Sequence, residues 1–325
     1  VDGFQKLLEG MDSGRQQRYE LMRRLQSRHI STLRDQTLAT EIKRWVDVTL
    51  ASLMDSHPEG RILAVIGASG AGKTWAIERA IDSIPGLKPA ILCVTAPRPC
   101  TLKQLGRAVL REMGYSLQRD LYEHMVWEKV RDHLEANSVR FVWVDELQHT
   151  LEGKIEKQVS AISDTFKNLV QRRSWPVSFL FSGLPAVSSF LGRDRQIERR
   201  SRTVEFGPLR FPGSTELIRR RLLGTIVESD AGMVLGDLAT DEFIHRLCHA
   251  TDGAFGVVVD LIRSAVLQAA ERPGFDGSVR IDDFAAAYVA EKGCERSENV
   301  FLSPDWHEIR PANSRLREVG TGEAR

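Results

Sequence analysis

Ile62-Leu-Ala-Val-Ile66 followed by Gly67-Ala68-Ser69-Gly70-Ala71-Gly72-Lys73-Thr74-Trp75 is the stretch that decides the fold of this 325-residue chain. Its first five residues are a short continuous apolar run, the pattern of a strand buried on both faces in a parallel sheet. The next eight fit Gly-x-x-x-x-Gly-Lys-Thr, whose small residues let backbone N–H groups close around phosphate oxygens. Gly67, Gly70 and Gly72 supply that freedom, and a helix opening at Lys73 turns its positive end toward the anion. Lys73 is expected to reach the β- and γ-phosphates of ATP, and the Thr74 hydroxyl to ligate magnesium. The expected nucleotide-contacting positions therefore run from Gly67 through Ala68, Ser69, Gly70, Ala71, Gly72, Lys73 and Thr74 to Trp75.

Outward from that stretch, further buried-strand runs occur at 90–94, 141–144 and 177–181, with a shorter one at 203–206. Leu38, Ile42, Trp45, Val46, Leu50 and Leu53 recur at helical spacing over 37–54, and His57-Pro58-Glu59-Gly60 closes that helix. Helices are also expected at 74–83, 101–112 and 122–135. Strands alternating with helices give an α/β fold, a parallel five-stranded sheet flanked by helices. After Pro212-Gly213 the strands stop, and four helical segments follow near 214–229, 240–251, 256–271 and 282–292. The expected organisation is an arginine-rich N-terminal arm (1–36), an α/β nucleotide-binding core (37–212), a small all-helical lid (213–292) and a flexible tail (293–325) with Trp306 as an anchor. The arm, with Arg15, Arg18, Arg23, Arg24, Arg28 and Arg34, reads either as a solvated helix or as a docking or nucleic-acid arm.

Composition limits the alternatives. A formal net charge of +1 means that any nucleic-acid contact rests on a local patch. Cys93, Cys100, Cys248 and Cys294 show no C-x-x-C spacing, which argues against a zinc site or a disulfide framework and fits a reducing cytosol. No run approaches 18 apolar residues and the N-terminus lacks an apolar signal region, so a cytoplasmic protein without a membrane span is expected.

A phosphate loop needs a second group to hold magnesium, and Asp145-Glu146 follows the strand 141–144. Asp145 is expected in the magnesium shell and Glu146 as the general base that polarises the attacking water. The chain has no Asn-Lys-x-Asp motif, which favours ATP over GTP. Ser182, at the end of the fourth strand, either hydrogen-bonds the γ-phosphate or its water, or merely satisfies a strand terminus. The run Arg193-Asp-Arg195-Gln-Ile-Glu-Arg199-Arg200-Ser-Arg202 is either a solvated face or the source of an arginine that reaches a neighbouring subunit's γ-phosphate.

Taken in order, these features resemble an AAA+ ATPase over about residues 37–292. Within that superfamily the chain is similar to the transposition regulators of the TnsC/TniB group, relatives of the Mu target-selection ATPase. The likeness rests on Gly67 to Thr74, the loop Val94-Thr-Ala-Pro-Arg-Pro-Cys-Thr-Leu-Lys103, Phe141 to Glu146 and Phe181-Ser-Gly-Leu-Pro185. It also rests on Gln196-Ile-Glu-Arg199 and on Ala250-Thr-Asp-Gly-Ala-Phe-Gly256 before a long lid helix.

The resemblance implies a homo-oligomer, a ring or helical filament assembled by ATP around double-stranded DNA. Such an assembly recruits a transposase to a site marked with a target-selection protein, and hydrolysis takes it apart. It grips the DNA backbone without reading sequence. The resemblance also places a backbone contact at Lys103, an ordinary exposed lysine when taken alone, with Arg107 one turn on sharing its face. Arg199 matches the position of the trans-acting arginine, with Arg200 and Arg202 as alternatives. One departure is that Gly256 and Val257 stand where many lids carry an arginine, and Arg263 follows nearly two turns later. The alternatives are a STAND-type or secretion-associated signalling ATPase, which normally carries sensor or repeat domains or a membrane anchor, and a replication initiator or helicase loader. The last usually adds a winged helix, for which the residues beyond Gly293 are too few.

Overall fold

The computed structural model describes residues 10–311. They form two compact units: residues 31–207, and residues 10–30 together with 208–311. Helix α1 (Ser13–Ser27) belongs to the second unit. The first opens with α2 (Leu33–Leu53), then β1 (Ile62–Gly67), α3 (Lys73–Ser83), α4 (Leu87–Ala90), β2 (Ile91–Thr95), α5 (Leu102–Glu112) and α6 (Glu123–Ala136). It continues with β3 (Phe141–Asp145), α7 (Gln148–Leu151), α8 (Glu156–Val170), β4 (Ser178–Gly183), α9 (Ala186–Leu191), α10 (Arg195–Glu198) and β5 (Ser201–Phe206).

The five strands pair in parallel in the order β2-β3-β4-β1-β5. Every residue of β1 is buried because it lies between β4 and β5 with helices over both faces. Strand alternation sends Leu63, Val65 and Trp143 to a layer with Leu38, Ile42 and Ile77. Ile62, Ala64, Val142 and Val144 go to the opposite layer, with Leu105, Val130 and Phe166. The expected five-stranded parallel α/β sheet is present, with strand ends displaced by a residue or two. Its C-terminal edge carries Gly67, Asp145 and Gly183 in adjacent strands, which sets the location of the site.

The second unit is helical: a wide helix Leu217–Asp230 with i→i+5 hydrogen bonding, then α11 (Asp241–Ala250), α12 (Phe255–Glu271) and α13 (Ile281–Lys292). The wide helix buries Ile218, Leu222, Leu223, Ile226 and Val227, a four-to-five residue recurrence that suits a turn longer than 3.6 residues. Among the described residues no single helix is long and apolar enough to cross a membrane.

Two sequence expectations change here. The segment expected as an arm, 1–36, includes α1, whose Leu21 and Leu25 lie in the same core as Leu222, Val258 and Phe284. Arg18 pairs with Glu271 at 3.0 Å and Arg28 with Asp230 at 3.7 Å, so part of the basic charge is used inside the unit. Residues 1–9 lie outside the described residues. The segment expected as a flexible tail, 293–325, packs as far as it is described. Val300 and Phe301 are buried, and the buried Asn299 donates from Nδ2 to the Ala285 carbonyl at 2.9 Å. Trp306 sits edge-on to His245 and His249, at 4.9 and 5.4 Å between ring centroids. Its anchor is therefore in its own chain; 312–325 lie outside the described residues.

Candidate active site

The phosphate loop joins the end of β1 to the start of α3, so Lys73 is the first residue of a helix whose free N–H groups face the loop. Gly70 and Gly72 take φ values of 73° and 84°. Lys73 is buried, and its Nζ donates to the carbonyls of Gly67 (3.0 Å) and Ala68 (2.9 Å). Burial lowers the Lys73 pKa, opposed by the charges of Glu146 and Asp145. An ammonium held by two carbonyl dipoles in a half-formed cage is ready for an anion. Trp75, in the first turn of α3, is exposed with the Arg79 guanidinium 5.4 Å from its ring centroid.

Asp145 ends β3 and is buried. Its Oδ2 accepts from the Thr74 hydroxyl at 2.8 Å, and its Oδ1 accepts from the Glu146 N–H at 2.9 Å and from Ser182 Oγ at 2.5 Å. Thr74 Oγ1 and Asp145 Oδ2 are hard oxygen donors within one coordination sphere of each other. That donor set fits magnesium, which takes few protein ligands and completes its shell with phosphate oxygens and water. Bound there, the metal would neutralise charge on the β- and γ-phosphates.

Of the two expectations for Ser182, its contacts favour the strand-terminus one. It is fully buried, its proton goes to Asp145, and Trp143 Nε1 donates to its oxygen at 2.7 Å. The hydroxyl has no second proton to offer a γ-phosphate, so Ser182 holds Asp145 in place. Glu146 projects from a left-handed backbone (φ 55°) and is partly exposed, at the mouth of the loop. Gln148 Nε2 donates to its Oε2, and His149 Nε2 lies 3.9 Å from the same oxygen. Trp143, Gln148 and His149 are site residues that the sequence reading missed. Trp143 had a local signal, since residues two apart on a strand share a face with Asp145.

The structure sorts the arginine run by partner. Arg200 is corrected as a finger candidate: its Nε and NH2 hold Glu59 at 3.1 and 2.5 Å, and this pairing keeps the Glu59 carboxyl below its usual range. Arg202 pairs with Glu41 (3.0 Å) and Arg193 with Glu156 (2.6 Å). Arg195 and Arg199 are exposed and have no ion pair or side-chain hydrogen bond among the described residues. Arg199 precedes β5, where Ser201 pairs with Ile62, the first residue of β1; the phosphate loop leaves the last. At about 3.3 Å per residue, roughly 17 Å of sheet separates the two ends. Arg199 therefore cannot serve its own loop.

Lys103 and Arg107 converge on one exposed carboxylate: Lys103 Nζ is 2.7 Å and Arg107 NH1 3.2 Å from Asp120 Oδ1. The hydrogen bond from Lys103 is the main reason that the Asp120 pKa is lowered. The pair forms a basic face on α5, apart from the catalytic cluster. Arg263 contacts Asp260 (3.5 Å) and the Arg28 carbonyl (3.1 Å) within the helical unit.

Residues 57–191 match the family described as AAA domain. None of the curated proteins matches the sequence. Among solved structures, the chain is similar to Orc1 of Aeropyrum pernix in complex with DNA, at 16% identity and TM-score 0.51, over 80% of this chain and 65% of that one. It is also similar to Cdc6p of Pyrobaculum aerophilum (12%, TM-score 0.52, 80% and 68%) and to ORC2 of Aeropyrum pernix in ADPNP–ADP complexes (17%, 0.52, 85% and 75%). The chain thus spans just under two thirds of the Orc1 structure. At these identities the likeness shows a shared AAA+ fold. The chain carries an AAA-type ATPase domain.

Proposed function

We propose that this AAA-type ATPase is a DNA-binding regulator of transposition, which oligomerises on duplex DNA with ATP and magnesium. In this reading it recruits a transposase to the site chosen with a target-selection protein, and hydrolysis disassembles it. The observation that carries the reading is the division of the active site. Lys73, Thr74, Asp145 and Glu146 gather at one end of the sheet, while Arg199, with no ion pair among the described residues, stands at the other. A site that lacks an arginine and an arginine without a site complement each other between successive copies, so ATP turnover depends on assembly. Within a site, Lys73 binds the phosphates and Thr74 with Asp145 holds the metal. Glu146 takes the proton of the attacking water. The Lys103–Arg107 face supports a backbone contact, repeated once per subunit.

A second reading is a replication-initiator role, supported by the fold shared with Orc1 and Cdc6p. Electron microscopy with a non-hydrolysable ATP analogue and two duplexes, one random and one carrying a candidate origin, separates the two. The transposition reading expects rows or rings on both duplexes. Assembly confined to the origin duplex favours the initiator, and bare DNA with monomers overturns both. In Glu146→Gln the assemblies should form and persist. Lys103→Ala and Arg107→Ala should weaken binding on both duplexes equally, each lowering the salt slope by about one counterion.

A further inference from the structure

Gln148 is a buried glutamine two residues past Glu146, at 5% exposure. A buried amide needs partners for both its oxygen and its nitrogen. Its Oε1 accepts from the Leu184 N–H at 3.2 Å, just beyond the end of β4. A backbone N–H can only donate, so the amide oxygen must face Leu184 and the NH2 group must face Glu146. The orientation of the amide is therefore fixed by chemistry rather than by choice of flip. Gly183 presses the same oxygen: a Cβ there would stand 2.3 Å from Gln148 Oε1. The amide fits because that position has no side chain.

Glu146 is constrained from its other sides as well. Its backbone sits at φ 55°, a conformation that a non-glycine residue keeps only when its surroundings hold it there. Its N–H is bound to Asp145 Oδ1 at 2.9 Å, and the next N–H, of Leu147, is bound to the Ser182 carbonyl at 3.0 Å. With Oε2 taken by the Gln148 amide, Oε1 is the oxygen left to accept from water.

We propose that Gln148 is the positioning residue of the hydrolytic base, the third member of a relay running from the Leu184 N–H through the Gln148 amide to the Glu146 carboxylate. It has the role that an orienting group plays for any activated base: it removes the rotamers in which the base misses its proton. The relay also ties the end of β4 to the base at the end of β3, so a shift of Gly183 and Leu184 turns the carboxylate. This inference rests on Glu146 being the base.

The test is a two-residue cycle on the full chain, read as single-turnover hydrolysis and as binding of a non-hydrolysable ATP analogue. Gln148→Glu keeps the volume and the acceptor for Leu184 while losing the donor to Glu146. It should lower kcat by about 10- to 100-fold, the range seen when a group that orients a reactive side chain is lost. KM for ATP and analogue affinity should stay within about two-fold, because phosphate binding is done elsewhere. In a Glu146→Gln background, the same change should cost less than about two-fold further. An unaltered kcat in Gln148→Glu overturns the proposal. So does a loss of equal size in both backgrounds, which would mark a purely structural residue. Normal turnover in Glu146→Gln alone would remove the base itself, a failure distinct from the others. If Gln148→Glu does not fold, Gln148→Met serves in the same cycle with the same expectations.

Discussion

Lys73 carries its charge where burial makes charge unfavourable, and two loop carbonyls are its hydrogen-bond partners. A phosphate is the natural counter-charge, so ligand binding should stabilise the fold through this residue. At about 100 times its Kd, ATP with magnesium should stabilise the protein by about 2.7 kcal/mol. Lys73→Ala should show no such rise in melting temperature, while the ligand-free variant still folds, since the substitution removes a buried charge. A nucleotide-dependent shift that survives in the variant would assign phosphate binding to another group. Much of this arrangement was legible because the loop is contiguous: spacing alone put Lys73 and Thr74 at the start of the helix that leaves it. Asp145 was legible as a strand-end carboxylate. Ser182 was located correctly, but its proton goes to Asp145, and Trp143 completes that arrangement. This depends on the register of β3 against β4, a non-local fact that no local pattern encodes. Gln148 was invisible for the same reason, since its partner Leu184 lies 36 positions away.

Among the elements, the sheet was readable because each strand is an unbroken apolar run bounded by turns. The outer helices were harder. Helix α1 buries Leu21 and Leu25, an i, i+4 pair set among arginines, so its composition hides the one stripe that docks. The packing within the expected tail, 293–325, gives no signal in the sequence because Val300, Phe301 and Trp306 are too sparse to show a period. The gap between the expected helices 240–251 and 256–271 was visible, but the purpose of Gly253 within it emerges only from the packing. Gly253 has φ 65°, its carbonyl accepts from the Leu209 N–H at 2.7 Å, and a Cβ there would lie 2.2 Å from the Leu209 carbonyl oxygen. Gly274 has φ 71° with open space around its Cβ position. Chemical denaturation should therefore rank two alanine variants. Gly274→Ala should cost about 1 kcal/mol for backbone strain, and Gly253→Ala about 3 kcal/mol because the strand of chain at Leu209 must also move. Equal costs would mean that the close approach has no energetic weight.

For the whole molecule, the proposed trans role of Arg199 would make catalysis a property of pairs. Arg199→Ala should abolish the rise of turnover with protein concentration and DNA, a loss of about 10³-fold if the arginine stabilises transition-state charge in trans. Mixing that variant with Glu146→Gln should restore part of the activity, because the second protein offers its arginine to sites that keep their base. No recovery on mixing would remove Arg199 as the trans-acting group. Arg200→Ala should leave the concentration dependence intact, since that guanidinium is bound to Glu59.

The separation of loop and arginine along one sheet also gives any open row of subunits a sense of direction. On the proposed trans arrangement each contact would be head-to-tail, so one terminal subunit would hold ATP with no donor behind it. That end would keep its nucleotide while interior sites turn over, much as a cap keeps the age of a polymer. A longer row should then hydrolyse faster per subunit than a short one and come apart from within or from its older end. A closed ring, having no terminal subunit, loses this clock, and the length dependence of turnover would tell the two apart.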